Sequence, residues 1–256
     1  DYVKWVVHPQ IEVAPIKNVR GFVQQFGNLT QDVVVLKGEI HLGRKPAGMR
    51  FTTIEPARRF ATTVLRDLRS TPAVRNLALR LIDRIDSIND GRLWLAAHMR
   101  RGDFVQHGWA MEGTVEAHFE RIQSRLKRGR EIVEQLHRST LKTYDVPFAQ
   151  PNGHILNRHP PLENDAIYLA TDETDPTAIE YLRNNSVILF KDILTIQDRR
   201  EFGWPLLFTD VAALVEQSIM GIGASYFYGH ALSSVVGGVI NIRANMGWDP
   251  ATALID

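Results

Sequence analysis

The spacing of apolar and polar positions divides the chain into a sparse first part and a strongly patterned remainder. Residues 1–56 hold two short apolar stretches, 3–7 and 32–36, that read as strand candidates between scattered prolines and glycines. After Glu55-Pro56 the period becomes helical, with Ala57, Phe60, Ala61, Val64, Leu65 and Leu68 on one face. Thr71-Pro72 offers an N-cap and a first-turn proline to a second helix, whose stripe is Val74, Leu77, Ala78, Leu81, Ile82 and Ile85. That helix leads into Leu93-Trp94-Leu95-Ala96-Ala97, entered from Asp90-Gly91. Five apolar residues in a row predict a strand buried on both faces, as in a parallel sheet covered by helices.

The same grammar repeats downstream. Val115, Phe119, Ile122 and Leu126 predict a helix that Ile132, Val133 and Leu136 extend, with Lys127-Arg128-Gly129-Arg130 as its solvated face. Residues 143–164, with four prolines, read as a long flexible excursion suited to admitting an acceptor. Strands are predicted over 166–170, 187–190 and 226–228, with helices opened by Asp175-Pro176, Asp210 and Ser233-Ser234. Strands and helices alternate from Leu93 to Met246, the pattern of a doubly wound α/β domain.

Charge gathers where the first strong strand ends, in His98-Met99-Arg100-Arg101-Gly102-Asp103-Phe104. In open α/β sheets ligands bind at the C-terminal ends of strands. Two arginines beside a glycine suit a phosphate, because the guanidinium fork pairs with it in two places and glycine lets the backbone approach. The same residues equally fit a satisfied core histidine, a local Arg100–Asp103 ion pair and a turn. Adjacent residues leaving a strand point in different directions, so only one arginine should face the crevice. Ser233 and Ser234 open an apolar helix after Tyr226-Phe227-Tyr228-Gly229. They read as a second anion site at a helix N-terminus or as ordinary caps.

Composition narrows the choices. With 44% hydrophobic and 23% charged residues, a 256-residue chain is ordinary globular material for one or two domains. A formal charge of +1 gives no support to a nucleic-acid partner. No apolar run approaches the roughly 18 residues of a transmembrane helix, and Asp1-Tyr2-Val3-Lys4-Trp5 is not a signal peptide, so the chain as given reads as soluble. Zero cysteines rules out disulfides and thiolate chemistry within it. No Asp-x-Asp metal motif is evident.

The segment His98 to Phe104 resembles the His-x-Arg-x-Gly-Asp-Phe signature of the GDP-fucose protein O-fucosyltransferase family. Ile167-Tyr168-Leu169-Ala170-Thr171-Asp172-Glu173, Glu216-Gln217, Phe227-Tyr228-Gly229 and Ser233-Ser234 follow in an order similar to that family over residues 90–245. The resemblance implies a GT-B-like fold, with a doubly wound, Rossmann-like C-terminal domain over 90–256 and an N-terminal, acceptor-side α/β domain over 1–89. It implies an inverting, metal-independent fucosyltransferase that moves fucose from GDP-fucose to a hydroxyl of a protein or glycan, without a further cofactor, in the ER or Golgi lumen. Arg100 would bind the β-phosphate and stabilise the leaving GDP. His98 and Met99 would help hold the nucleotide, Ser233 and Ser234 would meet the diphosphate, and Glu216, or Gln217 beside it, would contact the base. Asp103 and Asp172 would support them. The family's glycine-rich N-terminal motif has only a weak echo in Gly27-Asn28, which gives the expectation of either an N-terminal domain lacking an upstream segment or a divergent member of the family. It also leaves open a non-catalytic nucleotide-sugar-binding protein of the same fold.

Overall fold

In the computed structural model, residues 27–30, 53–110 and 112–256 are described, and the strand candidates at 3–7 and 32–36 lie outside them. The chain divides into units of residues 1–52 and 53–256. The second holds a five-stranded, wholly parallel sheet: β1 (Leu95–Met99), β2 (Ile167–Thr171), β3 (Val187–Ile188), β4 (Tyr226–Gly229) and β5 (Ala253–Ile255), in the order β3-β2-β1-β4-β5.

Nine helices are described: α1 (Ile54–Thr62), α2 (Pro72–Ile88), α3 (Gly102–Gln106), α4 (Val115–Leu136), α5 (Pro176–Asn184), α6 (Phe190–Ile193), α7 (Ile196–Phe202), α8 (Thr209–Ile222) and α9 (Ser234–Met246). They cover both faces of the sheet. On one, Val74, Leu77, Ala78, Leu81, Ile82 and Ile85 of α2 join Val215 and Ile219 of α8 and Val236 and Val239 of α9 against Ala96, Tyr168 and Phe227. On the other, Phe119, Ile122, Leu126 and Val133 of α4 and Leu182 of α5 pack on Leu95, Ala97, Met99, Leu169 and Tyr226. Alternate residues of each strand thus serve opposite layers.

Two caps fall where the sequence places them: Thr71 accepts from the Val74 N–H, and Asp175 from that of Ala178. Gly129 stands mid-helix because a β-carbon there would meet the Tyr226 ring at 2.3 Å.

Four expectations are corrected. The domain boundary expected after residue 89 would cut α2 from the sheet it covers, and the compact unit begins at Thr53. The first strand runs Leu95–Met99, two residues later than its apolar run: the Leu93 N–H donates to the His159 carbonyl, and the Trp94 carbonyl accepts from Ser225. The stripe predicted from Ala57 to Leu68 is split between α1 and a π-helical turn over Thr63–Asp67, and Phe60 and Leu68 remain 45% and 67% exposed. The excursion over 143–164 is present, with a single 3-10 turn at Gly153–Leu156, but it is anchored in part: Ile155 is fully buried and Arg158 donates to Asp86 and to the Gly91 and Arg92 carbonyls, while Phe148 and Leu162 are exposed. These bonds pin residues 154–159 at the entry of β1, the sheet edge opposite the strand C-termini, so that part is no lid over them.

Candidate functional site

From β1 the chain passes to β2 and β3 on one side, and from β4 to β5 on the other, so the connections after β1 and β4 diverge. A doubly wound sheet opens its binding crevice at such a point. His98 pairs in register with Gly229, so Arg100–Asp103 and His230–Ser233 leave the sheet side by side.

Arg100 stands at this edge with its side chain 35% exposed. Its Nη1 lies 3.0 Å from Asp172 Oδ2, its Nη2 2.9 Å from Asp103 Oδ1, and its guanidinium carbon 5.6 Å from the centre of the Phe104 ring. The two carboxylates differ in anchoring. Asp172 also accepts the Arg101 backbone N–H at 2.7 Å and presses against Gly102, where a β-carbon would lie 2.3 Å from Oδ2. Asp103 is half exposed on the short helix α3.

Arg101 points the other way, as strand alternation requires, and is buried. Its terminal nitrogens donate to the carbonyls of Glu112, Gly113 and Thr114 at 3.0–3.1 Å. Its Nε lies 3.3 Å from Glu173 Oε2, close enough for charge pairing but without a hydrogen bond's alignment. Arg101 therefore ties the far end of the β1–α4 connection back to its start.

Below these arginines lie two buried histidines. The Nδ1 atoms of His98 and His118 have no hydrogen-bond partner. Burial, reinforced by the charge of Arg100 and by His118 and His230, lowers the His98 pKa to about 3. Burial and then Arg101 lower that of His118 to about 4. Both are neutral at physiological pH, so neither adds positive charge beneath Arg100, which follows the last residue of β1. Met99, expected at the substrate, has its side chain fully buried between β1 and α4. Its contribution at the edge is its carbonyl, which accepts from Thr171 Oγ1 at 2.8 Å.

Ser233 is the N-cap of α9, yet its hydroxyl makes no cap hydrogen bond; it is buried, while Ser234 is exposed. Ordinary side-chain capping is therefore not what Ser233 does in this structure. Glu216 on α8 is partly exposed and accepts a hydrogen bond from the Tyr168 hydroxyl at 3.3 Å. Withdrawal from water, with the nearby Asp172 charge, raises its pKa to about 8. Gln217 is turned to α9 instead, where a β-carbon on Gly238 would stand 2.2 Å from its Oε1. Of the two acids and amides nominated, Glu216 is the one beside Tyr168 of β2.

One group of residues escaped notice in the sequence. The Phe104 ring meets Trp109 at 5.7 Å and 85°, and His230 at 5.8 Å and 77°, while His107 lies 5.1 Å from Trp109 at 33°. Their irregular spacing gives no period, and only Phe104 in the motif hinted at an aromatic cluster. Among the described residues, no three His, Asp or Glu side chains are spaced to hold a metal ion, and no helix is long and apolar enough to cross a membrane. Clefts of about 330 and 590 Å³ lie away from the strand C-termini, along Glu131–Arg138 and at Asp90–Arg92 with Pro160–Leu162.

No protein-family model and no curated protein matches the chain.

Proposed function

We propose that this chain binds a nucleotide sugar in the crevice between the C-terminal ends of β1 and β4, and that it transfers the sugar to a hydroxyl acceptor. The observation that carries the reading is Arg100, a guanidinium fixed at the end of the central strand beside the switch point and partly open to solvent. A departing diphosphate gathers negative charge, and a preorganised guanidinium stabilises it where it develops. The N-terminus of α9 with Ser233 supplies donors across the crevice. Glu216 and Tyr168 offer a polar edge for a base. The resemblance of His98–Phe104 to the O-fucosyltransferase signature makes GDP-fucose the donor proposed, a protein or glycan the acceptor, GT-B the architecture and the secretory pathway the compartment.

A second reading, a binding protein without turnover, is favoured by one feature. Asp103 and Asp172 pair with Arg100, and Glu173 with Arg101, so these carboxylates are engaged rather than available as bases. Thermal unfolding with GDP, GDP-fucose, GDP-mannose and UDP-glucose tests the site, since a ligand of the native state raises its stability in step with affinity. The guanine compounds should stabilise and UDP-glucose should not. Equal stabilisation by UDP-glucose removes the donor assignment. Release of GDP from GDP-fucose with an acceptor extract separates transferase from binding protein.

A further inference from the structure

Beside Arg100 is an aromatic group that phosphate binding does not use. Phe104 is buried with the Arg100 guanidinium over its ring, and Trp109 meets its edge. The Trp109 and Ala110 N–H groups both donate to the Phe104 carbonyl, at 2.8 and 3.1 Å, which fixes the backbone beneath the indole. Arg101 holds the loop just beyond, at Glu112–Thr114. Trp109 nevertheless remains 49% exposed, and His107, also exposed, lies against it.

We infer that Trp109, with His107 at its side, is a stacking platform for a pyranose ring held next to the Arg100 phosphate site. A pyranose presents a face of C–H bonds with slight positive charge, which complements the negative face of an indole, while an imidazole reaches its hydroxyls. A ring already fixed by its neighbours loses little freedom when a ligand stacks on it. Placement favours a sugar over a base. Glu216 and Tyr168 lie on the β2 side of Arg100, whereas Phe104 beneath Trp109 meets His230 on the β4 side. A nucleoside diphosphate sugar spanning β1 with its base on the β2 side carries its pyranose toward β4. The inference rests on the nucleotide-sugar reading for the position of the ring, and the pyranose belongs to the donor or to a glycan acceptor.

The test compares indole emission in the full chain with that of Trp109→Phe and Trp109→Ala, since the sequence holds five tryptophans and only the difference reports this one. Titrants are GDP, GDP-fucose, free L-fucose and chitotriose, the last two with and without GDP. A Trp109-dependent change with GDP-fucose but not GDP places the donor sugar on the indole. A change with chitotriose plus GDP places an acceptor there. Trp109→Ala should weaken the sugar-bearing ligand about five- to tenfold while leaving GDP within twofold, and Trp109→Phe should recover part of the loss. Equal changes with GDP and GDP-fucose would mean that a base or ribose stacks on Trp109, and overturn the platform. So would the absence of a Trp109-dependent response to every saccharide-bearing titrant. If GDP fails to bind while a free saccharide still moves Trp109 emission, the nucleotide reading falls and the platform stands.

Discussion

Gly102 and Asp172 occupy one another's space: a β-carbon on Gly102 would sit 2.3 Å from Asp172 Oδ2, the oxygen that pairs with Arg100. Gly102→Ala is therefore a steric lever on a carboxylate that directly follows the last residue of β2. Its backbone tolerates alanine, since its φ is not in the left-handed region. The expected cost is about 1–3 kcal/mol of stability from overpacking, together with at least a tenfold loss of GDP affinity as Arg100 shifts with Asp172. Adding Asp172→Ser should restore part of the stability, because the clash needs both partners. Additive losses in the double variant would show that the two do not interact.

Neighbouring arginines should fail in different ways. Arg100 is partly exposed, and ion pairs of that kind contribute little to stability, so Arg100→Lys should leave the melting temperature nearly unchanged. In an active preparation it should lower turnover on the order of 100- to 1000-fold, since an ammonium cannot reproduce the guanidinium's two-point contact. Arg101→Lys should do the reverse. One ammonium cannot serve three carbonyls from this position, and the unmet acceptors should cost about 2–3 kcal/mol. Melting curves and turnover measurements on the two variants, side by side, check the contrast.

Stability should peak near pH 6.5. His98 and His118 have folded pKa values lowered to about 3 and about 4, so between those values and the ordinary 6.5 the unfolded chain binds more protons. Their contribution is complete above pH 6.5 and is lost as the pH falls below it. Glu216, raised to about 8, acts in the opposite sense: the folded chain holds the extra proton above 4.5, and that contribution is lost as the pH rises through 8. Denaturant midpoints from pH 4 to 9 should trace this maximum. His98→Asn should flatten the acid limb and Glu216→Gln the alkaline one.

Arg243 is a cation in the core. It is fully buried on α9, stacks 4.7 Å from the Trp248 ring, and donates to the carbonyls of Met220, Ala224, Ser225 and Thr252 and to Thr252 Oγ1. Burial lowers its pKa to about 10, so it stays charged at neutral pH. Arg243→Ala should cost about 3–5 kcal/mol, because it opens a cavity and strands several acceptors at once. Guanidinium unfolding measures the loss, and a change below 1 kcal/mol would mean that water replaces the side chain.

The layers of the fold were readable wherever a stripe was long. All six apolar positions named for α2 are buried, and Thr71 and Asp175 cap the helices they were expected to cap. Short elements were not: β5 has three residues, too few for a period, and only its pairing with β4 makes it a strand. Of the candidate site, the sequence pointed to the strand end where Arg100, Arg101 and Asp172 gather, and not to their divisions of labour. Nothing in Arg100-Arg101 tells which guanidinium turns inward, because strand alternation fixes that they differ but not their order relative to the core. Met99 looked like a site residue by adjacency, yet alternation along β1 sends it to the α4 layer with Leu95 and Ala97. The carbonyls that receive Arg101 lie 11 to 13 residues onward in a stretch without pattern.

The loop closed by Arg101 has a consequence for where this site can operate. Residues 101–114 are joined end to end by hydrogen bonds from a guanidinium, in a chain that contains no cysteine. Secreted domains commonly fasten such loops with a disulfide, which opens under reductants. A guanidinium clasp has no redox couple. The crevice geometry should be the same in an oxidising lumen and in a reducing cytosol, so thiols that would open a cystine-bound loop leave this one closed.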